Sequence, residues 1–175
     1  MLRRFGEDRR GVAAVEFALV APILIVLYCG LAELTMAMMA ERQAAHSASV
    51  VGDLVAQDTS IGSVELNDIF AVGNAILRPF PAANLRLRIS SVKADVNGVP
   101  KVVWSQGHGM GAMAANATPG GFPANLLAAG DSVIEADVSY SFSSPIQQVL
   151  PTPISYADSF YLKPRRSPEV TWTGP

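Results

Sequence analysis

The chain has 175 residues, of which 50% are hydrophobic and 16% charged, with a formal net charge of −2. Lys and Arg beyond the N-terminus are few and scattered, so there is no electrostatic footprint for nucleic acid, and no such partner is expected. Cys29 stands alone inside an apolar run, which excludes an intramolecular disulfide, a CxxC redox pair and a cysteine metal cluster.

In chain order, Met1 to Arg10 carries Arg3, Arg4, Arg9 and Arg10 against Glu7 and Asp8. Positive charge flanking a first span holds that side in the cytoplasm, and the remainder is expected beyond the membrane. From Phe17 to Ala32 no residue is charged. A bilayer-crossing helix needs about 20 mostly apolar residues, a length that Gly11 to Ala32 reaches only with Glu16 inside. An Asp or Lys at mid-span costs about 2.5–3.5 kcal/mol on insertion scales, so Glu16 needs a partner. Pro22 is expected to kink the helix without ending it. A cleaved secretory signal has the same basic start and apolar core, and Ala37 and Ala40 imitate its cleavage site. Glu16 within the core and a helical pattern that continues past it argue against that reading.

Beyond Glu33 the helix is expected to run to about Gln57, with one buried side made of Leu34, Met38, Ala45, Ala48, Val51 and Val55. Residues 12–57 then form one helix about 70 Å long at about 1.5 Å per residue. Asp58 to Gly62 is a break. A second helix is read over Val64–Leu77, with Leu66, Ile69, Phe70, Gly73, Ile76 and Leu77 at helical spacing, Ser63 as its cap, and Pro79 and Pro81 beyond it. From Leu85 the period changes to two. Leu85, Leu87 and Ile89 alternate with Arg86, Arg88 and Ser90, Asn97-Gly98 marks a hairpin, and Lys101 to Trp104 returns as the partner strand. Residues 105–131 read as an exposed, mobile loop. Val133 to Phe142 is the clearest strand, with Glu135, Asp137, Ser139 and Ser141 on its polar face. Tyr156 to Leu162 is an edge strand, and Lys163 to Pro175 a polar tail. The fold class is α+β: a long membrane-spanning helix, a second helix, and a small antiparallel sheet packed on the outer half of the first. The domain reading is a leader at 1–11, a transmembrane helix at 12–34, its continuation at 35–57, an α+β domain at 58–162 and the tail at 163–175.

No catalytic constellation emerges, so neither enzymatic activity nor a cofactor is expected. Gln106-Gly107-His108-Gly109-Met110-Gly111 has one histidine without paired ligands and lacks the lysine of a phosphate loop. His46 belongs to a solvated helix face. Asp53 with Asp58, and Asp95 with Asp137, have no accompanying nucleophile, and Ser105, Ser132 and Ser155 lack a G-x-S-x-G setting. Glu33 is read as a marker of the outer membrane boundary, solvated by the interface.

The run Arg9-Arg10-Gly11, then Val12-Ala13-Ala14-Val15-Glu16-Phe17-Ala18-Leu19-Val20-Ala21-Pro22, resembles the RRG-x4-EFAL-x2-P opening of TadE-type pseudopilins, minor components of the bacterial tight-adherence (Tad, or Flp) pilus. The resemblance implies cleavage by a prepilin peptidase between Gly11 and Val12, with Glu16 fifth and Phe17 sixth in the mature chain. Gly6 fits poorly, since Gly11 is fifth after it. Val12 stands where methylated adhesion pilins carry phenylalanine. The cut would expose a cationic amine on Val12 and remove the four arginines that hold the leader in the cytoplasm. Glu16 would then pair with the amine of a neighbouring subunit, setting register, while Ala13, Ala14, Ala18 and Ala21 let helices approach closely. The implied partners are the prepilin peptidase, other pilins and pseudopilins, pilus platform proteins and the inner membrane, with the C-terminal domain periplasmic. The competing reading is an uncleaved single-span protein whose periplasmic domain binds a ligand or partner through residues 105–131.

Overall fold

The computed structural model describes residues 10–174. The leader arginines Arg3, Arg4 and Arg9 therefore lie outside the described residues. The elements are α1 (Arg10–Ala56), β1 (Ser60–Ile61), α2 (Ser63–Ile76), β2 (Leu85–Ala94), β3 (Pro100–His108), β4 (Ser132–Phe142), β5 (Ile154–Leu162) and β6 (Thr171–Trp172). This is the expected α+β class, with a four-stranded antiparallel sheet in the order β3-β2-β4-β5. The chain divides into two compact units. One comprises Met1–Met38 with Ser143–Pro153, the other Met39–Phe142 with Ile154–Pro175.

In the first unit, α1 runs uninterrupted through Pro22. Its side chains from Gly11 to Val20 are all exposed, as are most as far as Leu27. The loop 143–153 belongs to this unit.

In the second unit, α1 buries Ala40, Ala44, Ala48, Val51 and Val55, positions three or four apart that share a helix face. This corrects the expected stripe at its start: Leu34 and Met38 are exposed, and alanines occupy the buried face instead. Small residues let the sheet approach closely. A Cβ added at Gly52 would lie 2.7 Å from Leu162 Cδ1 and 2.9 Å from the Ala136 Cβ, and one at Gly73 would lie 2.8 Å from Val51 Cγ2. The α2 face consists of Leu66, Phe70 and Gly73, and the Gly73 carbonyl accepts the Ser47 hydroxyl at 2.9 Å. Ser63 is the first residue of α2, not its cap. Gly62 is the N-cap, and its N–H donates to the Glu65 carboxylate at 2.8 Å.

The Asn97-Gly98 hairpin forms as its sequence indicates. Gly98 sits at φ 77°, and the Asp95 carboxylate accepts the Asn97 and Val99 N–H groups at 2.8 and 3.0 Å. The returning strand is longer than read, because ten-residue β2 supplies partners as far as Arg88 opposite Gly107. On β4, Ile134, Ala136, Val138, Tyr140 and Phe142 are buried as expected, but so are Glu135 and Asp137. Residues 109–130 explain why. Most of these residues are exposed, as read, but they also lie over part of the sheet's second face. Leu127 joins Val92, Ala94, Val102 and Val133 in a small core that Met113, Phe122 and Tyr161 flank. Asn116 N–H donates to the Val102 carbonyl at 2.8 Å, and Val102 N–H donates to that of Ala117 at 2.9 Å, capping part of the outer edge of β3.

Residues 163–175 also depart from the reading as a polar tail. β6 pairs in parallel with β1, and Trp172 packs on Trp104 with ring centroids 5.6 Å apart. The Trp104 indole N–H donates to the Val170 carbonyl at 2.7 Å. Arg165 N–H donates to the Ala56 carbonyl at the end of α1, and its side chain pairs with Asp53.

The tight contact at Gly52 gives a direct check. Gly52→Val should cost about 1–3 kcal/mol by overpacking, lowering the denaturant midpoint followed by Trp fluorescence. Gly120→Ala, which points into open space, should leave the midpoint in place.

Candidate assembly segment and buried carboxylates

The N-terminal half of α1 presents hydrocarbon outward. Val12, Phe17, Leu19, Ile23, Leu27 and Tyr28 are all exposed, Phe17 at 71%. Folding of this chain therefore leaves the segment's apolar surface unburied, and such a patch marks a membrane or protein contact. It is long and apolar enough to cross a membrane once. Gly11, Val12, Glu16, Phe17 and Pro22 all lie on it, and every one is exposed. Val12 and Glu16, four residues apart, share one helix face. Among the described residues, no side chain pairs with Glu16.

The other carboxylate of this unit, Glu33, behaves differently from its reading as a solvated boundary marker. It is fully buried. Its carboxylate accepts three successive backbone N–H groups, from Gln148 at 2.7 Å, Val149 at 3.0 Å and Leu150 at 2.6 Å. Gln147, at φ 56°, turns the chain so that these donors converge. Val149 lies against Gly30, where an added Cβ would be 3.0 Å from its Cγ2. Hydrogen bonds to a charged acceptor are worth about 1.5–3 kcal/mol each, so Glu33 is a strong local tether for the loop. Nothing in the local sequence signals this, because the donors lie some 115 residues away.

The second unit buries a further acidic pair on β4. Arg88 Nε and Nη2 donate to Asp137 Oδ2 at 2.9 and 2.8 Å, and the Ser159 hydroxyl donates to Asp137 Oδ1 at 2.6 Å. Glu135, two residues along on the same face, has one carboxylate oxygen with no hydrogen-bond partner. Burial first, then the neighbouring charge of Asp137, push its pKa up to about 7. Burial and the Glu135 charge push the Tyr161 hydroxyl up to about 12. The two proposed acid pairs are not used as pairs: Asp95 shapes the hairpin turn, and Asp53 meets Arg165. His108 ends β3 and stacks on Phe70, with ring centroids 5.5 Å apart. Among the described residues, no group of three or more His, Cys, Asp or Glu is placed to hold a metal ion.

Residues 11–52, which include the exposed apolar half of α1, match the family model described as TadE-like protein. Over this segment the chain is TadE-like. The match spans Gly11, Glu16 and Glu33 together. There is no significant match among curated proteins or among solved structures. The TadE-like segment thus contains both an acid tethered within its own chain and an acid facing outward.

Glu135 supplies a pH test. Its folded pKa lies above its ordinary value of 4.5, so the native state holds the proton more tightly than the unfolded chain. Its contribution to stability is complete below about pH 4.5 and is lost as pH rises through about 7, by at most about 3 kcal/mol. Glu135→Gln, which keeps the neutral shape, should flatten this decline in denaturant midpoints measured across that range.

Proposed function

We propose that the protein is a minor pseudopilin of a Tad pilus, a non-enzymatic subunit that primes or modulates assembly. It is inserted with its N-terminus in the cytoplasm, cut after Gly11 by a prepilin peptidase, and assembled through α1 with other pilins and pseudopilins at the pilus platform. The observation that carries this reading is the TadE-like match over a helix whose hydrocarbon is exposed from Val12 onward. Such a helix suits storage in the inner membrane first and packing against other subunits afterwards.

The physical roles divide along the segment. Gly11 offers a peptide bond without side-chain obstruction, at the cytoplasmic end of the span. The cut removes the basic leader that opposes outward movement and creates a cationic amine on Val12. Glu16, which has no side-chain partner among the described residues, is matched by that amine on a neighbouring subunit. In a low-dielectric bundle a wrongly staggered subunit would leave the charge unpaired at a cost of several kcal/mol, so pairing selects register. Phe17 and the alanines at 13, 14, 18 and 21 shape the contact around it, and Pro22 supplies a place for the helix to bend.

Sequencing the mature N-terminus in cells with and without the prepilin peptidase tests this reading against an uncleaved single-span protein. A peptidase-dependent start at Val12 is expected, whereas Met1 in both strains would overturn it. Gly11→Leu should retain the leader and yield a slower-migrating band. Glu16→Ala should insert at least as well as the parent and abolish piliation, so normal pili from that variant would refute the pairing role.

A further inference from the structure

Between Pro145 and Pro151 the loop 143–153 leaves none of its backbone N–H groups to water. Pro145, Pro151 and Pro153 have no N–H. Ile146 and Gln147 donate to the Ser144 hydroxyl at 3.2 and 3.3 Å. Gln148, Val149 and Leu150 donate to Glu33. From Pro145 to Pro151, every backbone donor is thus either absent or paired with a side chain of the same unit. The loop carries no charged residue, and it turns Ile146 and Val149 outward at 37% and 47% exposure.

An aqueous surface loop has no need of this arrangement, since water satisfies its donors. At the membrane boundary it is an advantage, because an unpaired backbone donor is costly where water is scarce, while the exposed Gln147 and Gln148 suit the loop to the headgroup region and not to the hydrocarbon interior. The loop's position agrees. About 20 residues from Gly11 complete a span near Leu31, and the loop is docked on Gly30 and Glu33, level with the end of that span.

We propose that Ser143–Pro153 is a membrane foot. Clamped by Glu33, it lays Ile146 and Val149 into the outer boundary of the lipid bilayer and sets the depth at which α1 stops. The occupant of this apolar surface is lipid, continuous with the hydrocarbon that covers Leu27 and Leu31. The inference rests on the reading of α1 as a membrane span.

The test uses the full chain in phosphatidylethanolamine–phosphatidylglycerol vesicles. In a Cys29→Ser background, nitroxide labels are placed singly at Ile146→Cys, Leu24→Cys in the span, and Val96→Cys in the hairpin. Collision with oxygen, which partitions into lipid, is compared with collision with a water-soluble nickel chelate. The label at 146 should favour oxygen, less strongly than that at 24, while that at 96 favours nickel. Glu33→Gln, whose carboxamide replaces one of the two acceptor oxygens by an N–H₂ group and so sets donor against donor, should raise nickel access at 146 severalfold without changing the label at 24.

A label at 146 as open to nickel as that at 96, with 24 still in lipid, overturns the foot and leaves the span standing. Nickel access at 24 overturns both. A label at 146 shielded from both reagents overturns the lipid assignment in favour of contact with a second subunit.

Discussion

A carboxylate removed from water must find hydrogen bonds or a counter-charge, because its desolvation otherwise costs several kcal/mol. Three acids in this chain meet that requirement in different ways. Glu33 is matched by three backbone N–H groups that converge on it. Asp137 is matched by the Arg88 guanidinium and the Ser159 hydroxyl. Glu135 is matched incompletely, and burial with the neighbouring Asp137 charge raises its pKa. Against that background Glu16 stands out. It sits in the most apolar part of the chain, and among the described residues nothing is arranged to receive it. The acids with partners organise this chain's own folding, while the acid without one is suited to organising its association.

The same segment is organised around two different surroundings. From Gly11 to Leu31 large apolar side chains face outward, and the helix does not depend on its own chain for burial. From Ala40 onward the buried face is narrow and built of alanine and valine, so α2 and the sheet approach the helix axis closely, with Gly52 and Gly73 at the tightest places. A bulky stripe would have served the hydrophobic effect as well, but would have held the sheet farther away. The large residues Leu34, Met38 and Met39 remain on the outer side.

Much of this was legible from local pattern. The long helix followed from composition and from the absence of breakers other than Pro22. The hairpin followed from Asn97-Gly98, whose backbone demands are met by few other pairs. The inward face of β4 followed from strict alternation at Ile134, Ala136, Val138, Tyr140 and Phe142. The outward face misled, because Glu135 and Asp137 have the polarity of solvated positions, yet residues 109–130 cover them. That cover has no periodicity to detect, being fastened by single contacts such as Leu127 and the bonds of Asn116 and Ala117 to Val102. Trp172 in the segment read as a tail is a similar case, since only its meeting with Trp104 reveals its place.

The sequence by itself determined the class of the fold, the long apolar segment and the Gly11-to-Pro22 run on which the functional reading stands. These properties reside in composition, in short spacing and in residues whose chemistry is costly where they occur. Only the tertiary structure decided which stripe of α1 is buried, that the second face of the sheet is partly covered, and that Glu33 is a clamp and not a solvated boundary marker. The reason is common to all three. Each depends on partners far along the chain, and a residue's type states what it requires without stating which distant backbone or side chain will supply it.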